Sequence, residues 1–115
     1  MIHKKMDAWK LSMDLVIEIY KLTRAYPADE KLGLSQQMRR AAVSVPSNIA
    51  EGAARKSTGE FIQFLYISLG SLSELETQLE ISKRLGYNKV EPEKLDDSCT
   101  RIRQMILGII RHLKT

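Results

Sequence analysis

Residues 35–56, SQQMRRAAVSVPSNIAEGAARK, place a proline inside an otherwise regular helical pattern, and few folds tolerate that combination. Leu34, Met38, Ala41, Val45, Ile49 and Gly52 recur at steps of three and four and therefore share one helix face. Arg40, Ser44, Ser47, Glu51 and Arg55 recur in the same way and form a polar face beside it. Ala42, Ala50 and Ala53 add small positions at which a neighbouring helix can come close. Within a helix, Pro46 removes one backbone hydrogen bond and clashes with the carbonyl of Ala42, at a cost of about 3 kcal/mol. Surroundings must offset that cost, and Ser44, Ser47 and Asn48 lie near enough to bond the freed backbone groups. The pattern predicts a largely buried helix over residues 34–54, kinked at Pro46.

The flanking sequence predicts three more helices in a single domain spanning residues 1–115. In the first, over 7–26, Asp7 is placed to cap and Met6 with Leu11 to staple the start. Trp9, Met13, Val16 and Tyr20 make one apolar stripe and Leu11, Leu15, Ile19 and Leu22 another, an arc wider than one packed neighbour requires. Pro27 ends that helix. Ser57 and Glu60 stand in capping-box register for a helix over 57–85, with Gly86 as its stop. Its inner stripe is Phe61, Leu65, Ser68, Leu72, Leu75 and Leu79, yet Ile62, Phe64, Tyr66 and Ile67 make its first half apolar on almost every side. Such a surplus in so small a domain predicts a subunit interface at those four residues. The last helix, over 91–114, opens on Pro92, with Val90 and Leu95 as staple. Leu95, Cys99, Ile102, Ile106, Ile109 and Leu113 form its seam, leaving Met105, Leu107 and Ile110 outside. Short connections favour an all-α, up-down-up-down antiparallel four-helix bundle. A content of 3 prolines and 6 glycines argues against an all-β chain rich in turns.

SVPSNIAEG, preceded by LSQQMRRAAV, resembles the signature of the small four helix bundle protein family. That family includes the proteins encoded in intervening sequences of bacterial 23S rRNA genes, and it is similar to the accessory variability protein of diversity-generating retroelements. Trp9, Tyr20, the YP pair at Tyr26 and Pro27, GLS at 33–35, GSLSELE at 70–76 and LGY at 85–87 fall in the family's order. The resemblance implies a bundle with Ser44, Pro46, Asn48, Glu51 and Gly52 as its structural signature. It further implies a ring-shaped homopentamer that binds nucleic acid and docks a protein such as a reverse transcriptase.

Chemistry is sparse by comparison. His3, His112 and Cys99 have no neighbour at metal-ligand spacing, so no metal or other cofactor is expected; both histidines are expected at the surface and Cys99 in the core. Gly52 and Gly59 fit neither phosphate-loop pattern. Glu51, on one face with Arg40 and Arg55, reads first as a salt-bridged glutamate and only second as a catalytic acid, so the chain is not expected to be an enzyme. A lone cysteine and an N-terminus without an apolar leader segment are those of a cytoplasmic protein. Positive charge is the remaining signal. The chain carries a net +4, and residues 31–56 hold Lys31, Arg39, Arg40, Arg55 and Lys56 against the single Glu51. Arg39, Arg40, Arg55 and Lys56 are the candidate contacts to RNA or DNA phosphates, with Lys4, Lys5, Arg101 and Arg103 outlying. The expected protein is therefore a non-enzymatic homo-oligomer that binds nucleic acid by charge. The alternative is a protein-interaction scaffold or accessory subunit whose cations keep it soluble.

Overall fold

The structure, a computed structural model, describes residue 3 and residues 6–88 and 92–115. Four helices account for most of them: α1 (Asp7–Arg24), α2 (Leu34–Ala53), α3 (Thr58–Arg84) and α4 (Pro92–Lys114), with a 3-10 turn at Ala28–Glu30. No strand occurs among the described residues. Helices adjacent in sequence pack against each other, α1 closes against α4, and the diagonal pairs α1/α3 and α2/α4 stay apart. The end of α1 meets the start of α2 through Thr23 and Arg39, and the end of α3 meets the start of α2 through Ser82 and Met38. The chain thus runs up and down around one core, the four-helix bundle that its periodicity predicts.

The tightest pair is α2 and α3. Helix α2 continues through Pro46, which is buried. The polar groups around it are taken up from two sides. The Asn48 amide donates to the Ser44 carbonyl at 2.8 Å and to its hydroxyl at 2.9 Å, while Ser68 of α3 donates to the Val45 carbonyl at 2.9 Å. The Ser44 and Ser71 hydroxyls meet across the pair at 2.7 Å. Ser47, expected to share this task, is exposed. At the other end of α2, a Cβ on Gly52 would lie 2.7 Å from the Phe64 Cβ and 2.9 Å from the Phe61 ring. Only a residue without a side chain lets the two backbones approach so closely.

The inner stripes fill with Leu15, Ile19, Met38, Val45, Ile49, Leu65, Leu72, Leu75, Ile102 and Ile106, all essentially inaccessible. In α4 the core takes Ile110 at 3% exposure, where the sequence pattern had left it outside. A step of four from Ile106 follows the 3.6-residue turn of a straight helix, and Ile109 is left at the margin. Several polar residues are buried as well. Ser12 and Thr23 donate to the carbonyls four residues back, Ala8 and Ile19, so their hydroxyls enter the core already bonded.

The helix ends differ in how they are made. Asp7 is the first helical residue and not the cap; Met6 holds that position, and no side chain bonds the free N–H groups. Met6 and Leu11 are both half-buried against the core. Ser57 does cap α3, accepting from the Glu60 N–H at 3.2 Å, but the Glu60 carboxylate takes the Ser57 hydroxyl instead of a backbone N–H. At the far end Gly86 has φ +80, with Gly86 N–H donating to the Lys83 carbonyl and Tyr87 N–H to that of Ser82, a Schellman stop. The Val90 half of the staple predicted for α4 lies outside the described residues.

One end of the bundle is tied by aromatic hydroxyls. Tyr26, beside Pro27, donates to Asn88, whose amide donates in turn to the Leu79 carbonyl at 3.2 Å. Tyr87 donates to Glu30 at 3.0 Å, and the two tyrosine rings lie 5.2 Å apart. The YP and LGY segments, sixty residues apart in the chain, are therefore one clasp between its first and last connections.

Replacing Gly52 with Ala should cost roughly 1–3 kcal/mol, because the new methyl meets the Phe64 Cβ and the Phe61 ring. The same change at Gly70, which has nothing within 4 Å, should gain about 0.5–1 kcal/mol from helix propensity. Equilibrium urea unfolding of the two variants checks this. Equal effects would mean that α2 and α3 are not in contact at Gly52.

Candidate nucleic-acid interface

The four cations singled out in the sequence separate into two groups. Arg39 and Arg40 lie near the start of α2, while Arg55 and Lys56 lie past its end, roughly 22 Å further along at 1.5 Å per residue. The first pair borders a cleft of about 670 Å³ between α1 and α2, lined by Tyr20, Lys31, Leu32, Gln36, Arg39, Arg40, Val43 and Ser44. Lys31 reaches it because the 3-10 turn after α1 brings the connection back over the start of α2. No carboxylate lines this cleft. Three other clefts contrast with it, being lined respectively by Glu76 and Glu80, by Glu93 and Asp97, and by Glu51.

Within the cleft, neighbouring arginines have different tasks. The Arg39 guanidinium lies 4.5 Å from the centre of the Tyr20 ring, donates from Nε to Thr23 Oγ1 at 2.9 Å, and reaches the Tyr20 carbonyl from Nη2 at 3.4 Å. Three anchors on α1 thus fix its plane. Arg40 and Lys31 are exposed, and among the described residues their side chains make no ion pair or hydrogen bond. Two exposed cations without a side-chain partner among the described residues, and one anchored over Tyr20, make the cleft's positive lining.

The second group is occupied within the chain. Arg55 pairs with Glu51 at 2.8 Å and lies over the Phe64 ring at 4.8 Å. Lys56 is exposed just beyond the helix. Of the outlying cations, Arg103 forms a two-pronged bond with Glu76 across α3 and α4, and that bond pushes its guanidinium further up. Arg101 shares a cleft with Glu93 and Asp97. Lys4 and Lys5 lie outside the described residues.

The other signature residues are structural in their contacts. Ser44 and Asn48 bond around Pro46, Gly52 admits α3, and Glu51 holds Arg55 on the surface. His3 is buried at 7% exposure, edge-on to Trp9 with ring centres 5.3 Å apart; it is not the surface residue expected, because its ring packs against that indole. His112 is exposed. Among the described residues no three His, Cys, Asp or Glu side chains cluster to hold a metal, and no helix is long and apolar enough to cross a membrane.

Of the four residues predicted at an interface, Tyr66 and Ile67 are exposed, at 48% and 45%. Ile62 is half-buried against the core, and Phe64 is half-buried beneath Arg55 and against Gly52. Met13 and Ile17 form a second uncovered apolar patch on α1, and Ile81 with Leu85 a third at the end of α3. The sequence pattern had placed Met13 in a packed stripe and passed over Ile17.

Residues 4–108 match the family described as 23S rRNA-intervening sequence protein. Among solved structures, the chain is similar to a protein of unknown function from the S23 ribosomal protein family of Bacteroides thetaiotaomicron. The two share 24% identity over 90% of this chain and 95% of that one, with a TM-score of 0.81. No curated protein matches.

Burial, reinforced by the charges of Glu76 and Asp96, pushes the Cys99 thiol up to about 12. The folded protein should therefore resist iodoacetamide between roughly pH 7 and 9 and react fully once unfolded in urea. Mass spectrometry of the alkylated protein decides it; rapid labelling of the native chain would show Cys99 to be accessible as thiolate.

Proposed function

The chain belongs to the 23S rRNA-intervening sequence protein family, and from that premise we propose that it is a non-enzymatic, self-associating, cytoplasmic module that binds nucleic acid by charge. The observation that carries the binding half is the α1/α2 cleft, where Lys31, Arg39 and Arg40 converge without a carboxylate. Phosphates entering it neutralise Lys31 and Arg40 and release condensed counterions, so affinity falls steeply with salt. Arg55 and Lys56 contribute less in this reading, since Glu51 already compensates one of them.

Self-association rests on the uncovered apolar side chains. Met13 and Ile17 on α1 and Tyr66 and Ile67 on α3 are 40–53% exposed, on helices at opposite corners of the bundle. Burying them between copies removes apolar area from water and gathers several basic clefts into one particle. A ring of five, the assembly implied by the family resemblance, is the form we propose. A second reading, a scaffold or accessory subunit that docks a protein such as a reverse transcriptase, draws on the Ile81 and Leu85 patch, 44% and 54% exposed.

Light scattering should give a mass several times the 13.1 kDa of one chain, and Ile67→Asp should lower it without loss of helical signal. A monomeric wild type overturns the assembly. In salt-titrated binding to RNA and DNA, Lys31→Ala and Arg40→Ala should each reduce the slope of log K against log salt by roughly 0.7–0.9. These two residues are chosen over Arg39 because they hold nothing else in place. Unchanged slopes in correctly folded variants would remove the cleft from the interface. Binding to a protein partner after nuclease treatment, with none to nucleic acid at low salt, would favour the second reading.

A further inference from the structure

We propose that the α1/α2 cleft selects single-stranded nucleic acid over duplex, with Arg39 serving as a platform on which a base stacks. This inference rests on the nucleic-acid reading above and specifies its ligand. The argument begins with the donors of Arg39. Nε is committed to Thr23 Oγ1 and Nη2 is directed at the Tyr20 carbonyl, so the group is poorly placed to clasp a phosphate with its two-pronged edge. One face of its plane is covered by Tyr20, and the group lines the cleft with what remains. A guanidinium anchored over an aromatic ring by these contacts offers its remaining side as a stacking surface for a base, and its order is established before the ligand arrives.

The rest of the lining agrees. Leu32 is 82% exposed and Val43 40% exposed, an unusual pair of apolar side chains to leave beside three cations. A duplex keeps its base faces stacked inside and presents phosphates and groove edges, which gain nothing from Leu32 or Val43. A single strand offers both chemistries, with phosphates toward the exposed Lys31 and Arg40 and base faces toward Arg39, Leu32 and Val43. Gln36 supplies a neutral hydrogen-bonding group at the same wall. The volume of about 670 Å³ lies within the roughly 300–1,000 Å³ of small-molecule sites, room enough for a nucleobase.

The test is fluorescence anisotropy at fixed low salt with three labelled probes of equal length: oligothymidylate, the same strand with abasic sites throughout, and duplex DNA. Oligothymidylate should bind at least about tenfold more tightly than the abasic strand, the effect of one stacked base. Arg39→Lys, which keeps the charge and loses the plane, should remove most of that difference, lowering single-strand affinity several-fold more than duplex affinity. Leu32→Ser should weaken oligothymidylate several-fold; at 82% exposure it cannot compromise folding, and it carries the test if the Arg39 variant melts early. Equal affinity for the abasic strand overturns the proposal, as does equal weakening of single strand and duplex by Arg39→Lys. Displacement of oligothymidylate by polyglutamate of matching charge as readily as by unlabelled strand also overturns it, marking an acidic-protein site. Failure of the wild type to bind any of the three nucleic acids removes the parent reading instead, while duplex binding with no preference for single strands leaves that reading in place.

Discussion

The close approach of α2 and α3 is the contact on which the remaining geometry depends. It needs a glycine opposite Phe64, hydroxyls small enough to meet at Ser44 and Ser71, and a donor, Ser68, for the Val45 carbonyl beside Pro46. Each is a small or short polar side chain placed where a larger one would hold the backbones apart. Around the proline the neighbouring carbonyls gain side-chain donors, Ser44 from Asn48 within the helix and Val45 from Ser68 outside it. With the inner faces of α2 given to α3 and the core, its charged residues have only outer surface left. The signature stretch thereby determines both how the bundle closes and where its positive charge emerges.

Charge on that surface is sorted by pairing. Glu51 holds Arg55, Glu80 holds Arg84, and Glu76 holds Arg103. Pairs of this kind on the surface contribute little to stability, typically 0–1 kcal/mol, but they remove cations from the pool that can meet an outside anion. Lys31 and Arg40 escape because the cleft that they share with Arg39 has no acidic residue. A net charge of +4 does not reveal this contrast, in which three cations meet at one wall of α1 and α2 with no acid among them.

Helical periodicity made most of the core legible: Met38, Ala41, Val45 and Ile49 on one side and Leu65, Leu72, Leu75 and Leu79 on the other are buried as their spacing requires. What it could not show were polar residues that enter the core with their bonds already satisfied. Ser12 and Thr23 read as surface by type, and only the i−4 carbonyl makes their burial inexpensive. His3 was illegible because its partner, Trp9, lies across a helix start whose cap, Met6, has no recognisable capping chemistry. The candidate site was half legible. Arg39 and Arg40 were visible as a basic pair, but successive helix positions point about 100° apart, so one turned to Tyr20 and the other to solvent. Lys31 joined them through a connection whose path no spacing rule encodes, and Arg55 left them for a carboxylate four residues away.

The placement of the apolar patches constrains the kind of assembly that could cover them. Met13 and Ile17 emerge from α1, Tyr66 and Ile67 from α3, and those helices occupy diagonal corners that do not touch. A two-fold dimer through either patch would leave the other wet on both copies. A single contact that covers both brings the α1 surface of one copy against the α3 surface of the next, a head-to-tail arrangement that repeats until it closes. In the proposed ring the α1/α2 cleft would recur with each copy, since Tyr20 follows Met13 and Ile17 along the same helix face. Weak cationic contacts, each strongly screened alone, then act on one long anion together, and the second is made at the effective concentration set by the first. On the proposed assembly, repetition and not the strength of any single cleft would make a polyanion the favoured ligand of so small and mildly basic a chain.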